Sequence, residues 1–231
     1  MIHFFGPDGA GKSTQVDILI ESIKEFDPRV KKWWVRSPHT FAFVLWRLFV
    51  KIGFYRVVSN PLGFSFRLPA VDRSRVLQFF WALVEFFSVL PLILRTRFLV
   101  FRGYKLVAER YILDSVTTIA YFIDDMNFLR SRISRLLFRL IPRNTVFIFL
   151  DSNYDTIFRR RAPYLHVNDC DQKRRSYGSV PRSIVEPREF IDFQRNAYRI
   201  LARSFDALTI DTSESSVEET SKAILEYLRL G

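Results

Sequence analysis

The segment Gly6-Pro7-Asp8-Gly9-Ala10-Gly11-Lys12-Ser13 satisfies the pattern G-x-x-x-x-G-K-[ST] in full. Glycines at this spacing let successive backbone N–H groups turn toward one centre, and a helix starting at the lysine adds the positive end of its dipole. A loop built this way cradles the phosphates of a nucleoside triphosphate. Lys12 would reach the β- and γ-phosphates while the Ser13 hydroxyl ligates Mg²⁺. The candidates for holding ATP are therefore Gly6, Pro7, Asp8, Gly9, Ala10, Gly11, Lys12, Ser13 and Thr14. A GTPase would also carry a base-reading N-K-x-D segment, and the chain has none.

The loop needs a strand before it and a helix after it, and both are readable. Ile2 to Phe5 is a short apolar run, and Val16, Leu19, Ile20 and Ile23 recur at helical spacing. Val30 to Arg36, Lys105 to Ala108, Thr145 to Leu150 and Ala207 to Ile210 are further β-branched or aromatic runs separated by helical stretches. Five strands alternating with helices predict an α/β fold, a five-stranded parallel sheet covered on both faces with right-handed crossovers. Phe190, Phe193, Ala197, Leu201 and Ser204 predict one helix face near the end of the chain, and Val217, Ile224, Leu225 and Leu228 another. Between Ala162 and Pro187 the periodicity disappears among Pro163, Pro181, Gly178 and the basic cluster Lys173, Arg174 and Arg175, which predicts an exposed, mobile flap.

Composition narrows the alternatives. The 231 residues suit one domain, and 24 Phe within 48% hydrophobic residues give ample material for a core. A formal charge of +11 points to anionic partners. One cysteine, Cys170, excludes an intrachain disulfide, and three scattered histidines, His3, His39 and His166, form no zinc-ligand spacing. The glycine motif follows the first strand so directly that no secretory segment is expected before it, and a cytoplasmic location is expected. Val76 to Leu94 is long and apolar enough to span a bilayer, but Gln78, Glu85 and Ser88 fall in one narrow arc of it. A carboxylate near its middle favours a buried helix with one polar stripe over membrane insertion.

The string GPDGAGKSTQ from Gly6 to Gln15 resembles the P-loop of thymidylate kinases, and three further segments agree in order. Glu109-Arg110-Tyr111 resembles that family's Asp-Arg-Tyr motif. Phe149-Leu150-Asp151, with the following residues to Arg159, is similar to its L-D…R stretch. Ile210-Asp211-Thr212-Ser213 with Val217-Glu218-Glu219 resembles its last strand and the loop that borders adenine. The resemblance implies a P-loop nucleoside monophosphate kinase as a single domain over 1–231, with a helical acceptor-binding region over about 37–101 and a lid over about 159–188. It also implies a homodimer through the long apolar helices. By the same resemblance Arg110 holds the acceptor's phosphate, Glu109 holds hydrated Mg²⁺, and Asp8 contacts the acceptor near its sugar. Arg36, Glu85 and Asp114 complete the acceptor-site candidates. The family places its catalytic arginine in the P-loop or in the lid. Gly9 occupies the P-loop position here, so Arg159, Arg160 and Arg161 are the first candidates, and Arg174, Arg175, Arg182 and Arg188 the second.

Some positions depart from the family pattern. Arg36-Ser37-Pro38-His39 stands where the family carries Arg-Glu-Pro-Gly-Gly, and Glu85 and Ser88 are the only polar residues on a helix stretch that elsewhere bears an arginine. Thr118 replaces an aromatic, with Tyr121 a turn beyond. The leading expectation is transfer of phosphate from ATP to a nucleoside monophosphate, dTMP first. Glu109-Arg110 also resembles deoxynucleoside kinases, which take an unphosphorylated sugar. A third reading is a P-loop protein that binds ATP and nucleic acid without phosphorylating a metabolite, using the +11 charge and Trp33 and Trp34. It is the weaker one, because phosphate chemistry already accounts for the basic residues in the lid-like segment.

Overall fold

The computed structural model describes residues 1–35, 40–59, 65–161 and 186–229. The chain begins β1 (Ile2–Phe5), α1 (Lys12–Lys24), β2 (Val30–Trp34) and α2 (Thr40–Lys51). Two short strands follow, β3 (Tyr55–Ser59) and β4 (Ser65–Pro69), then α3 (Arg75–Phe101), β5 (Lys105–Arg110), α4 (Ile112–Phe122) and α5 (Arg132–Arg139). The last part runs β6 (Val146–Asp151), α6 (Tyr154–Arg161), α7 (Arg188–Ser204), β7 (Leu208–Asp211) and α8 (Val217–Arg229).

Five of the strands make one sheet in the order β2-β5-β1-β6-β7, and every pairing in it is parallel. This is the α/β sheet expected from the alternation of strands and helices. Successive side chains of a strand point to opposite faces, so each buried strand feeds two cores. Phe4, Val107, Ile148 and Leu150 pack with Val16, Leu19, Ile20 and Ile224 of α1 and α8. Their neighbours Phe5, Ala108, Phe147 and Phe149 pack on the other side with residues of α3, α4 and α7, among them Trp81, Ile93, Val116 and Tyr198. All carboxyl ends of the parallel strands open on one edge, where ligands bind in such sheets.

The antiparallel pair β3–β4, with Val57 opposite Arg67, lies in the stretch expected to be helical throughout. The turn-forming string Asn60-Pro61-Leu62-Gly63 between two β-branched or aromatic runs was the available hairpin signal. On α7 the buried face is Ile191, Gln194, Ala197, Tyr198 and Leu201. Phe190 and Phe193 instead sit on its flank against Tyr121, with ring centroids 4.4 and 5.4 Å away.

Helix α3 departs from its expected burial. Its polar stripe does face inward: Glu85, Ser88 and Thr96 are wholly buried, Gln78 Nε2 donates to the Ile123 carbonyl at 2.7 Å, and Ser88 Oγ accepts from Ala42 N–H at 2.9 Å. Yet only 33% of its apolar stretch is covered, and Val76, Phe79, Phe80, Phe87, Leu94, Phe98 and Phe101 are exposed. A helix has more than two sides. The sheet with α4, and α2 on the other flank, cover only the inner part of α3 and leave an outer apolar stripe. Trp81 anchors the inner part, wholly buried with its ring edge toward Phe122. Trp81→Ala should lower unfolding free energy by about 3–5 kcal/mol. Urea titration followed by circular dichroism measures this, and a loss below 1 kcal/mol would refute the packing role.

Candidate active site

The P-loop joins the end of β1 to the start of α1. Gly6 has φ +145°, and a Cβ there would lie 2.1 Å from the Leu150 carbonyl oxygen of β6, so only glycine lets the loop leave the sheet. Gly9, at φ +98°, is pressed by α6: a Cβ would meet Ile157 Cγ2 at 2.8 Å and Arg161 Nε at 3.3 Å. A side chain at this position would thus run into α6. Lys12 is buried, and its Nζ donates to the carbonyls of Gly6 at 2.7 Å and Pro7 at 2.8 Å. Burial pulls its pKa down to about 8, against the opposing charges of Asp114 and Glu109. Thr14 is exposed on the first turn of α1.

Two carboxylates organise the loop's surroundings. The Ser13 hydroxyl donates to Glu109 Oε1, which brings the two metal-ligand candidates together. Lys32 of β2 stands beside them, 3.4 Å from Glu109 Oε2 and 2.7 Å from Asp17. Asp8 is buried and ion-paired with Arg110, and its Oδ1 lies 3.7 Å from Lys12 Nζ. Arg110 in turn lies 3.5 Å from Asp114.

Asp114 sits behind the site. Its Oδ2 accepts from Tyr111 N–H at 3.1 Å and lies 3.3 Å from His3 Nε2, while Oδ1 accepts from the Tyr198 hydroxyl at 3.0 Å. Burial alone would raise this carboxyl, but His3 and the charge of Arg110 hold it below the ordinary aspartate value. Burial, reinforced by Asp114, pushes the Tyr198 phenol well above its ordinary value, so it remains a donor. Asp114 thus touches the site through Arg110.

The three consecutive arginines of α6 go to three places. Arg159 turns back to Thr156 Oγ1 at 3.1 Å, Arg160 donates to the Thr212 carbonyl beyond β7, and Arg161 lies against the P-loop at Gly9. Thr212 Oγ1 itself donates toward the Ala10 carbonyl at 3.1 Å and the Asp151 carbonyl at 3.0 Å. At the end of β6, Asp151 accepts from Arg195 Nε at 2.7 Å and from Arg199 at 2.7 Å. Burial raises that carboxyl, but the two arginines outweigh it and hold its pKa below the ordinary value.

Glu85 is buried on the inner face of α3, and Arg188 opens α7, 3.7 Å from Asp192 and with its guanidinium 5.2 Å from the Tyr154 ring centre. Arg36, Arg174, Arg175 and Arg182, and all of the expected flap from Ala162 to Pro187 except Glu186 and Pro187, lie outside the described residues. Sequence reasoning missed His3, Lys32, Glu186, Arg195, Tyr198 and Arg199. The charge of buried Glu186 reaches Lys12, Tyr121 and Tyr198. Arg195 and Arg199 share a helix face by their i, i+4 spacing, but the carboxylate they meet is 44 and 48 residues away and only the sheet order brings it near.

Sheet order, loop and surrounding helices define an α/β P-loop kinase fold. The chain is similar over 99% of its length to the thymidylate kinase of Candida albicans, with TM-score 0.56, 15% identity and 90% of that chain covered. It is likewise similar over 99% of its length to the thymidylate kinase of Ehrlichia chaffeensis, with TM-score 0.54, 13% identity and 97% of that chain covered. The YorR protein of Bacillus subtilis, solved in complex with phosphorylated GDP, aligns with TM-score 0.51, 15% identity and 99% and 95% of the two chains covered. At these identities the likeness establishes the fold. No protein-family model matches the chain, and no curated protein matches it by sequence.

Two outcomes follow from the loop. Gly6→Ala should weaken ATP binding roughly tenfold or more by strain at a positive φ; unchanged affinity in calorimetry would contradict the close approach to Leu150. Lys12, whose pKa is about 8, sheds its proton above that pH, whereas contact with phosphate would keep it charged. ATP binding should therefore take up close to one proton at pH 9 and almost none at pH 6.5, read from calorimetry in buffers of different ionisation enthalpy. Equal uptake at both pH values would show that Lys12 does not meet phosphate.

Proposed function

We propose that the chain is an ATP-dependent nucleoside monophosphate kinase, with dTMP as the leading acceptor. The supporting observation is the position of Asp8 between Lys12 and Arg110. The P-loop cation and the motif arginine share one carboxylate, so a triphosphate on the loop and an anion on Arg110 would lie side by side. An ATPase or a nucleotide-dependent binding protein has no use for a second anion station at that place.

Lys12 would exchange its loop carbonyls for β- and γ-phosphate oxygens and follow the charge that accumulates there during transfer. Arg161, already against the loop at Gly9, is the α6 arginine best placed to accompany it. Arg160, joined to Thr212, would border the adenine together with the loop after β7. Arg110 would present its guanidinium fork to the acceptor's phosphate, with Asp114 fixing its orientation. One acceptor phosphate oxygen attacks the γ-phosphorus, the β–γ bridge bond breaks, and ADP and a nucleoside diphosphate result. Ser13 and Glu109 suit Mg²⁺, being hard oxygen donors that meet at the mouth of the loop, and the ion would neutralise charge on the β- and γ-oxygens.

A panel of nucleosides and nucleoside monophosphates with Mg-ATP tests this reading. We expect turnover of dTMP in preference to thymidine, Lys12→Ala to lower kcat by roughly 10²–10³-fold, and Arg110→Ala to abolish the preference for the phosphorylated acceptor. Phosphorylation of free nucleosides alone would identify a deoxynucleoside kinase. No turnover with any acceptor would overturn the kinase reading and restore the ATPase and nucleic-acid alternatives.

A further inference from the structure

An open cleft of about 440 Å³ lies between the stretch Leu129 to Phe138 and the last turns of α7. Its floor is apolar, with Leu129, Leu201, Phe138 and Phe205, and the two phenylalanine rings meet edge to face at 5.1 Å. Arg130, Arg135 and Ser204 complete its lining. Local sequence places the arginines there. Ser131 caps α5 by accepting from Ser134 N–H at 3.1 Å, and Ser134 Oγ donates to the Phe128 carbonyl at 2.6 Å, which ties the 3₁₀ turn Met126–Arg130 to the helix. Phe128, Leu129 and Leu137 join the core, and Arg130 and Arg135 are left facing solvent. The cleft is far from the phosphate loop. Phe205 packs on Phe147 near the start of β6, with ring centroids 4.8 Å apart, whereas α7 meets the other end of that strand at Asp151. Four steps along the strand, about 13 Å, separate the two.

Charge indicates what the cleft takes. From Met126 to Leu150 the chain has five arginines and no carboxylate. Arg130, Arg132, Arg135, Arg139 and Arg143 are all exposed, and among the described residues none of them is in an ion pair. Carboxylates border the region without reaching these arginines. Asp125 accepts from Asn127 N–H at 2.9 Å and lies 3.6 Å from Arg75, with exposed Asp124 beside it. Beyond Phe205 the exposed Asp206 is matched in number by exposed Arg203. Phosphoryl transfer at the P-loop leaves the arginines of the cleft without a role.

We propose that this cleft binds a small organic phosphate, with its apolar or aromatic body against Phe138, Phe205 and Leu201 and its phosphate between Arg130 and Arg135. The volume falls in the roughly 300–1,000 Å³ range of small-molecule sites, which are mostly apolar with a few placed polar groups. Two guanidinium forks suit a phosphate, whose charge of about −2 and three free oxygens can serve both, whereas a carboxylate is filled by one fork. Arg132 and Arg139, one turn to either side of Arg135 on α5, would raise the local concentration of anions. A nucleotide and an alkyl phosphate share this chemistry. Occupation of the cleft is independent of the reaction proposed for the P-loop.

Calorimetric titration of the full chain with β-naphthyl phosphate, beside uncharged β-naphthol, tests the proposal. We expect saturable binding of the phosphate that weakens as salt is raised, and at least roughly tenfold weaker binding of the naphthol. Arg130→Glu with Arg135→Glu should abolish binding, and Ser204→Trp should block the cleft without altering its charge. All three positions are exposed, so the thermal transition should persist in both variants. Displacement of the probe by nucleoside monophosphates would identify a nucleotide as the ligand, and displacement by decyl phosphate alone an alkyl phosphate. Three results would overturn the proposal: no binding by the unaltered chain; β-naphthol bound as tightly as its phosphate; or binding that both cleft variants leave unchanged, which together with loss in Arg110→Ala would put the probe at the acceptor station instead.

Discussion

Two buried cations lie within reach of one buried carboxylate, and the architecture of the site follows from that arrangement. Lys12 and Arg110 come from different strand ends, and removing either from water without a counter-ion would cost several kcal/mol. Asp8 supplies the counter-ion, and it can do so only because Gly6 lets the P-loop leave β1 against the Leu150 carbonyl. Behind Arg110, Asp114 gathers His3 from β1, the Tyr111 amide from the β5–α4 joint and Tyr198 from α7. One connected set of charges thus joins two adjacent strands and two helices at the carboxyl edge of the sheet. Because each group completes another's hydrogen bonding, the set holds Arg110 in one orientation instead of leaving a long side chain to sample many.

A second set of contacts does the same for the other side of the loop. Asp151 receives Arg195 and Arg199 from α7, and its carbonyl accepts from Thr212, which also donates to Ala10 of the P-loop. Arg160 closes the group by donating to the Thr212 carbonyl. The helix α7 therefore belongs to both sets, through Tyr198 in one and Arg195 and Arg199 in the other. A shift of α7 cannot disturb the β6–β7 edge without also disturbing the support of Arg110.

The sheet was legible in the sequence because parallel strands buried on both faces leave short β-branched and aromatic runs that stand out between amphipathic helices. Ile2–Phe5 was located to the residue, and the other four strands to within two residues at each end. The P-loop was legible because its chemistry requires a fixed local spacing. What local spacing cannot carry is which distant groups meet. That Asp114 would serve Arg110 together with His3 depends on β1 lying beside β5, and the partner of Arg195 depends on α7 packing across β6. The neighbouring arginines of α6 show the same limit from the other direction. Sequence makes Arg159, Arg160 and Arg161 equivalent, whereas a turn of about 100° per residue sends them to Thr156, Thr212 and Gly9.

The distribution of charge separates two demands that the total of +11 conceals. Within the described residues the cations of the phosphate site are largely balanced: Lys12 and Arg110 by Asp8 and Asp114, Arg195 and Arg199 by Asp151, Lys32 by Asp17 and Glu109. Balanced cations still bind phosphate, since they exchange one anion for another, but they add little to the net charge. The excess lies mostly in the stretch from Thr40 to Val107, which includes the helices bearing the longest exposed apolar stripe. Cations balanced at the site and unbalanced along α2 and α3 thus answer to different neighbours, phosphate in the first case and solvent or a covering surface in the second.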